Sequence, residues 1–172
     1  SDLDLKTDND EEGTIGFKGV NNLLSVHGQT NKIKVFAVLD NSALTIEKNI
    51  QFTGVLLLAD GATLTFGPDV RRIDGGDIKG NRSGEGTVIV QNSGKLTVNS
   101  GFGVDGGNEL AEIQLAGQDV EVLAGKNLAA ALVKFTTDDS ITVTTTGIEL
   151  EGARFENASP NGKLHTIQFT EN

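Results

Sequence analysis

Apolar residues recur along this chain in short runs, each broken by a turn rich in Asp, Asn, Gly or Ser. Val35-Phe-Ala-Val-Leu-Asp-Asn-Ser-Ala-Leu-Thr-Ile46 has an apolar stretch, a polar turn and a Leu-Thr-apolar ending. Val55-Leu-Leu-Leu-Ala-Asp-Gly-Ala-Thr-Leu-Thr-Phe66 repeats it, as do Val88-Ile-Val-Gln-Asn-Ser-Gly-Lys-Leu-Thr-Val98 and Val133-Lys-Phe-Thr-Thr-Asp-Asp-Ser-Ile-Thr-Val143. A looser copy runs from Ile113 to Val122, and a first one from Ile15 to Val26. Apolar residues alternate in the second half of each copy: Leu44/Ile46, Leu64/Phe66, Leu96/Val98, Val120/Val122 and Ile141/Val143. A period of two is that of a β-strand with one face turned inward. Thr45, Thr65, Thr97 and Thr142 then form an outer ladder, where β-branching favours extended chain.

The anchors Leu24, Leu44 and Leu64 stand 20 residues apart, and Leu96, Val120 and Ile141 follow at steps of 32, 24 and 21. A unit of about 20 residues is the size of one coil in a parallel β-solenoid. One strand-turn-strand unit cannot bury its inner face alone, so coils stack at a spacing of about 4.8 Å. The fold expected is all-β, a parallel β-solenoid of about seven irregular coils. The alternative is an antiparallel β-sandwich, since the same units read equally well as hairpins. The 32-residue step is its best support.

Residues 1–12 read as an acidic leader or cap and 13–172 as the solenoid domain. Within it, 69–85 has little apolar content and is expected to be a loop insertion, with Asn99–Asn108 as a tighter corner. The best helix candidate, Lys126–Leu132, is too short to be stable alone and fits equally well as a strand leading into Val133.

Composition narrows the picture. The 172 residues carry a formal charge of −10, with 22 Gly against 2 Pro, 8 Phe as the sole aromatics, and no Cys. Abundant Gly with scarce Pro suits repeated tight turns between strands. The acidic balance argues against nucleic acid, because phosphate binding needs clustered cations and only Arg71–Arg72 are adjacent arginines. No stretch approaches the ~20 apolar residues of a membrane span. The first residues lack a signal-peptide pattern, so a processed start with any anchor outside it is expected. Absence of Cys suits a chain that crosses a bacterial outer membrane unfolded, where a disulfide would lock a loop.

Gly84-Glu-Gly-Thr-Val-Ile-Val-Gln-Asn-Ser-Gly-Lys-Leu-Thr-Val98 continues through Gly103-Val-Asp-Gly-Gly-Asn-Glu-Leu-Ala-Glu-Ile-Gln-Leu-Ala-Gly117 to Leu132-Val-Lys-Phe135. These segments resemble the passenger repeats of rickettsial-type outer-membrane autotransporters, the surface cell antigen family. Gly13-Thr-Ile-Gly-Phe17 and Ile50-Gln-Phe-Thr-Gly54 have the same flavour, so the resemblance covers roughly residues 13 to 169. It departs in two respects: these residues hold no translocator barrel, and the charged content is higher than in the blandest repeats. The resemblance implies a secreted β-helix tethered to the outer membrane of a bacterium, with adhesive or coat-forming roles. It assigns no individual binding residue.

Candidate chemistry is sparse. His27 and His165 are the only histidines. Ser25 lies two residues before His27, yet no Gly-x-Ser-x-Gly elbow surrounds it. Glu149/Glu151, Asp138/Asp139, Asp74/Asp77 and Glu109/Glu112 are paired carboxylates. Glu149 and Glu151 would share one strand face, with Arg154 close by, a spacing compatible with a carbohydrate site. Asp8–Gly13 starts like an EF-hand loop, but its twelfth position is Gly19 rather than Glu. Asp74-Gly-Gly-Asp77 and Asp105-Gly-Gly107 echo calcium turns without the nonapeptide repeat; ordinary Asp-Gly turns are the better reading. Gly94–Lys95, Gly125–Lys126 and Gly162–Lys163 lack the remaining residues of a phosphate loop.

The expected protein is therefore a non-catalytic, extracellular surface segment with no catalytic, cofactor or metal residue assigned; Ca²⁺ is the one ion its turns could admit. Its expected partners are a host cell-surface protein or further copies of itself, not nucleic acid and not a membrane interior. Recognition is expected from 69–85 and 99–108. The competing readings are a carbohydrate-active β-helix enzyme using Glu149, Glu151 and Arg154, or a β-sandwich subunit of an extracellular filament.

Overall fold

The computed structural model describes residues 8–9, 12–24, 32–104, 107–123, 126, 128–145 and 154–169. The first half of the chain forms β1 (Glu12–Phe17), β2 (Val20–Leu23), β3 (Ile33–Val38), β4 (Ala43–Ile46), β5 (Ile50–Gln51), β6 (Val55–Leu58), β7 (Thr63–Phe66) and β8 (Arg72–Gly80). The second half adds β9 (Glu85–Val90), β10 (Leu96–Phe102), β11 (Leu110–Leu115), β12 (Val120–Val122), β13 (Ala130–Phe135), β14 (Thr142–Thr145), β15 (Arg154–Asn157) and β16 (Thr166–Phe169). No helix occurs among the described residues.

The strands pair in parallel and sort into two sheets. Sheet A runs β1-β3-β6-β8-β10-β12-β14-β16, with the short β5 beside β8; sheet B runs β2-β4-β7-β9-β11-β13-β15. The chain passes from one sheet to the other and back, giving a β-solenoid of about six turns. Hairpins would have produced antiparallel neighbours, so the sandwich alternative is excluded.

Inward side chains stack coil on coil. In sheet A, Ile15, Phe36, Leu56, Ile78 and Phe102 are successive partners. In sheet B, Leu44, Leu64, Val88, Ile113, Val133 and Phe155 make the matching ladder, at steps of 20, 24, 25, 20 and 22 residues. Most of these side chains are fully buried in one continuous core. All ten alternating residues expected to point inward, from Leu44 to Val143, lie in that core.

The ladder joining those anchors differs from expectation. Leu44 and Leu64 belong to sheet B, whereas Leu96 and Val120 are partners in sheet A. Before residue 70 the repeated sequence unit spans a turn from A to B; after it, the same unit spans a turn from B to A. The 32-residue step is thus a coil and a half, not an interruption. Leu24 is 68% exposed, and the partner of Leu44 in the preceding coil is Asn21. The threonine ladder divides likewise: Thr45 pairs with Thr65, but Thr97 faces Glu121 and Thr142 faces Thr166.

The loop expected at 69–85 is largely the nine-residue strand β8, which pairs with β5, β6 and β10. Its low apolar content misleads because within β8 only Ile73 and Ile78 carry apolar side chains into the core, joined by Val70 just before it. Asn99–Phe102 likewise continues β10 rather than forming a corner. Ala130–Leu132, within the helix candidate, is strand. Of the acidic leader, only Asp8, Asn9 and Glu12 lie among the described residues, and Glu12 already begins β1.

The corners are held by side chains that reach the neighbouring coil. Asn49 Oδ1 accepts from the backbone N–H of both Arg71 and Arg72. Asp119 Oδ1 accepts from Thr142 N–H at 2.7 Å, and Asp138 Oδ1 from Asn161 N–H at 2.8 Å. Asn92 is 1% exposed and donates to the carbonyls of Gly94 and Asp119. The Asp119 carbonyl also accepts from Leu96 N–H, so the Asn92 amide contributes at the scale of an ordinary intramolecular hydrogen bond, about 0.5–1.5 kcal/mol. Asn92→Ala is therefore expected to lower stability by about that amount in urea unfolding, with the slope of the transition unchanged. Wild-type stability in this variant would exclude a structural role for the corner amide.

Candidate functional site

A recess opens where sheet A departs from regular pairing. Between the partners Gln51/Asp74 and Val55/Asp77, the three residues Phe52–Gly54 face the two residues Gly75–Gly76. Across β10, those two glycines face Ser100 alone, between Asn99/Asp74 and Gly101/Asp77. Successive coils therefore carry three, two and one residues at the same level, a tapering β-bulge that opens the outer surface. Glycine is required in the middle coil: a Cβ on Gly75 would lie 2.5 Å from the Phe52 ring, and one on Gly76 would lie 1.7 Å from the Gly54 carbonyl oxygen.

The resulting groove has a volume of about 600 Å³ and is lined by Lys32, Gln51, Thr53, Asp74, Asn99 and Lys126, over Phe52 and the two glycines. Phe52 is 2% exposed and packs edge-on against Phe36 at 6.3 Å, so the floor is anchored in the core. Asp74 takes a two-pronged pair from the Arg72 guanidinium and a hydrogen bond from Asn99 Nδ2 at 3.0 Å. Partial burial pushes the Asp74 carboxyl up, but hydrogen bonds from Arg72 and Asn99 and the charges of Arg72 and Lys32 outweigh it and hold it below the usual range. The carboxylate is therefore ionised at neutral pH. Among the described lining residues the charged ones are Lys32, Lys126 and Asp74.

A second recess of about 300 Å³ lies in the last described coils, lined by Phe135, Phe155, Glu156, Leu164, His165 and Ile167. His165 stacks on Phe135 with ring centroids 4.6 Å apart, and its Nδ1 accepts from Ile141 N–H at 3.4 Å. Burial pushes the imidazole pKa down. Glu156, the one carboxylate in this lining, is engaged by Lys134 and Arg154. Since the unfolded chain takes up its proton near pH 6.5 and the folded chain only at lower pH, His165 supports stability above that value. Stability is expected to fall as pH drops from about 7 through 6.5 toward the lowered folded value. His165→Phe keeps the stacking and removes the titration. Urea unfolding at several pH values should show a weaker acid-side loss in that variant, and identical pH profiles would rule His165 out as the source.

Of the other residues singled out in the sequence, Ser25, His27, Asp105, Glu149 and Glu151 lie outside the described residues. Arg154 pairs with Glu156 at 2.8 Å on the outer face of sheet B. Asp138 and Asp139 diverge, one to Asn161 and the other to Gln118. Glu109 accepts from Ser83, while Glu112 stands within β11 between Thr87 and Leu132. Arg71 spends its guanidinium on Pro68, Val70 and Ser93 within one corner. Among the described residues no three His, Cys, Asp or Glu side chains converge as metal ligands would, and no helix is long and apolar enough to cross a membrane.

Sequence reasoning singled out Asp74 but missed Lys32, Gln51, Asn99 and Lys126 as its companions. Adjacent glycines inside an otherwise pairable strand were the available signal, since they mark bulges and close approaches. No protein-family model, curated protein or solved structure matches this chain.

Proposed function

We propose that this chain is a non-catalytic segment of a bacterial surface protein, of the autotransporter passenger kind, that attaches to host cells through the outer face of sheet A. The observation that carries this reading is the concentration of irregularity on one face of a stiff stack. The groove opens on sheet A, and beside it the outward positions Val35, Ala37, Val55 and Leu57 form two aliphatic rows across adjacent coils. Sheet B mixes Thr45, Thr63, Thr65 and Thr87 with Ala43 and Ile89 at its matching outward positions. A scaffold backed by a continuous core loses little conformational entropy on binding, which favours a recognition role. The carboxylates that diverge or are already paired favour it over hydrolysis.

The test is retention of the labelled chain on epithelial cell monolayers. Leu57→Asp, on the outer face of sheet A, is expected to reduce retention severalfold, and Thr65→Asp, on sheet B, to leave it unchanged. Equal retention of both variants would sink the assignment of the face.

Self-association into a surface coat is the second reading, favoured by exposed apolar residues in the outermost described coils. Val20 and Leu24 stand at one end, and Phe155, Leu164 and Phe169 at the other, 40–86% exposed. Parallel stacking makes opposite ends complementary, so contact between copies is head to tail and open-ended. Light scattering over a concentration series, with Phe169→Asp as the interrupting variant, separates stacking copies from a monomer.

A further inference from the structure

We infer that His165 latches the outermost described coil while its ring is neutral, and that a second proton on the ring releases β15 and β16 from β13 and β14. Such an acid-operated release is local to one end of the stack and is independent of which face binds a partner.

The closed coil has room for one ring proton only. His165 Nδ1 accepts from Ile141 N–H at 3.4 Å, so the proton of the neutral ring sits on Nε2. Nε2 is buried and meets no acceptor. A second proton would go on Nδ1 and set donor against donor at Ile141. The Phe135 ring, stacked 4.6 Å away, offers a face to the new charge but no acceptor to either N–H.

Neighbouring charges do not rescue the charged ring. Among the described residues, the ionisable group beside it in the recess is Glu156 on β15, already engaged by Lys134 on β13 and by Arg154. Asp138 and Asp139, in the corner before β14, are spent on Asn161 and Gln118. Lys163 stands on the same segment outside the recess lining, and β16 itself carries no charged residue. Burial alone pushes the imidazole pKa down.

The coil that this ring secures has little other hold on the interior. Of β15 and β16 only Ile167 packs against the core, while Phe155, Leu164 and Phe169 are 40%, 83% and 61% exposed. A segment with so few buried apolar contacts opens at low free energy, without unfolding of the remaining stack. Opening uncovers Phe135, Ile141 and Val143, each at most 5% exposed when closed, and frees the edge of β14 for an added parallel strand.

The free ring takes up its proton near pH 6.5 and the closed coil only at lower pH, so opening becomes easier as pH falls through that value. Hydrogen exchange of the whole 172-residue chain at about pH 7 and about pH 5.5, with labelling times scaled for the intrinsic rate, reads this directly. Opening of Thr166–Phe169 is expected to be roughly fivefold more frequent at the lower pH, while β4 and β7 keep their protection. His165→Phe keeps the stack on Phe135 and should show the same protection of β16 at both pH values. The ring-proton resonance of His165 in the unmodified chain, identified by its proximity to Phe135, should titrate below about pH 6.5 and together with the change in β16.

An acid response spread evenly along the stack would overturn the latch. So would the same response of β16 in His165→Phe, or a ring midpoint at or above about 6.5, a reading that does not depend on the variant folding.

Discussion

Phe36→Ala is expected to lower the unfolding free energy by about 3–5 kcal/mol, the usual cost of deleting a large aromatic side chain from a packed interior. Phe36 is fully buried in β3, with Ile15 before it and Leu56 after it in the ladder. Its ring stacks on Phe17 at 6.0 Å and meets Phe52 edge-on at 6.3 Å, so one truncation removes contacts in three successive coils. Each coil of a solenoid depends on its neighbours, so the damage should spread along the stack before it unfolds the whole. Hydrogen exchange should show the first loss of protection in β1, β3 and β6, with β11 and β13 affected least. Leu164→Ala is the contrast: Leu164 is 83% exposed, and its truncation should change stability by less than about 0.5 kcal/mol. Equal urea midpoints for the two variants would contradict the stacked aromatic interior.

Gly76→Ala is expected to destabilise the chain by about 1–3 kcal/mol or more and to deform the groove as well. The new methyl would lie 1.7 Å from the Gly54 carbonyl oxygen, a main-chain atom that moves only if the bulge rearranges. Gly54 is itself constrained, since a Cβ there would lie 2.2 Å from the Lys34 carbonyl oxygen. Two neighbouring coils therefore approach each other through glycines, and no rotamer change can relieve the crowding. Gly16→Ala supplies the control. Nothing lies within 4 Å of a Cβ at that position in β1, so the substitution should be neutral or slightly stabilising through the unfolded chain. Thermal unfolding of the two variants side by side tests the bulge. A Gly76→Ala protein as stable as Gly16→Ala would mean that the strands do not approach as described.

Much of the fold was legible because alternation and stacking are local and repetitive. Leu64/Phe66 and Val120/Val122 signal inward rows by spacing alone, and both pairs are buried. The neighbour of each coil was harder to read. Leu64 and Leu96 end similar sequence units, yet they stand in different sheets because β8 supplies an additional strand between them. With both sheets of a coil obeying the same alternation, a sequence unit looks alike whether it runs from A to B or from B to A. Strand β8 itself escaped notice because its polar and glycine residues occupy outward or bulged positions, which demand no apolar side chain.

The groove was less legible still. Lys32, Gln51, Asp74, Asn99 and Lys126 come from five turns of the stack and share no sequence motif. They meet because unequal numbers of residues at one level, three between β5 and β6, two in β8 and one in β10, part the outer surface there.

The amino-acid sequence alone determined an all-β chain of short strands with one apolar face each, and its repeat of 20 to 25 residues favoured a parallel solenoid. The parallel pairing that excludes hairpins came from the structure. Tertiary structure alone decided which strands belong to which sheet, and where five separated polar side chains converge. Both depend on the register between coils, which one residue more or fewer in a turn or bulge resets without altering the local pattern.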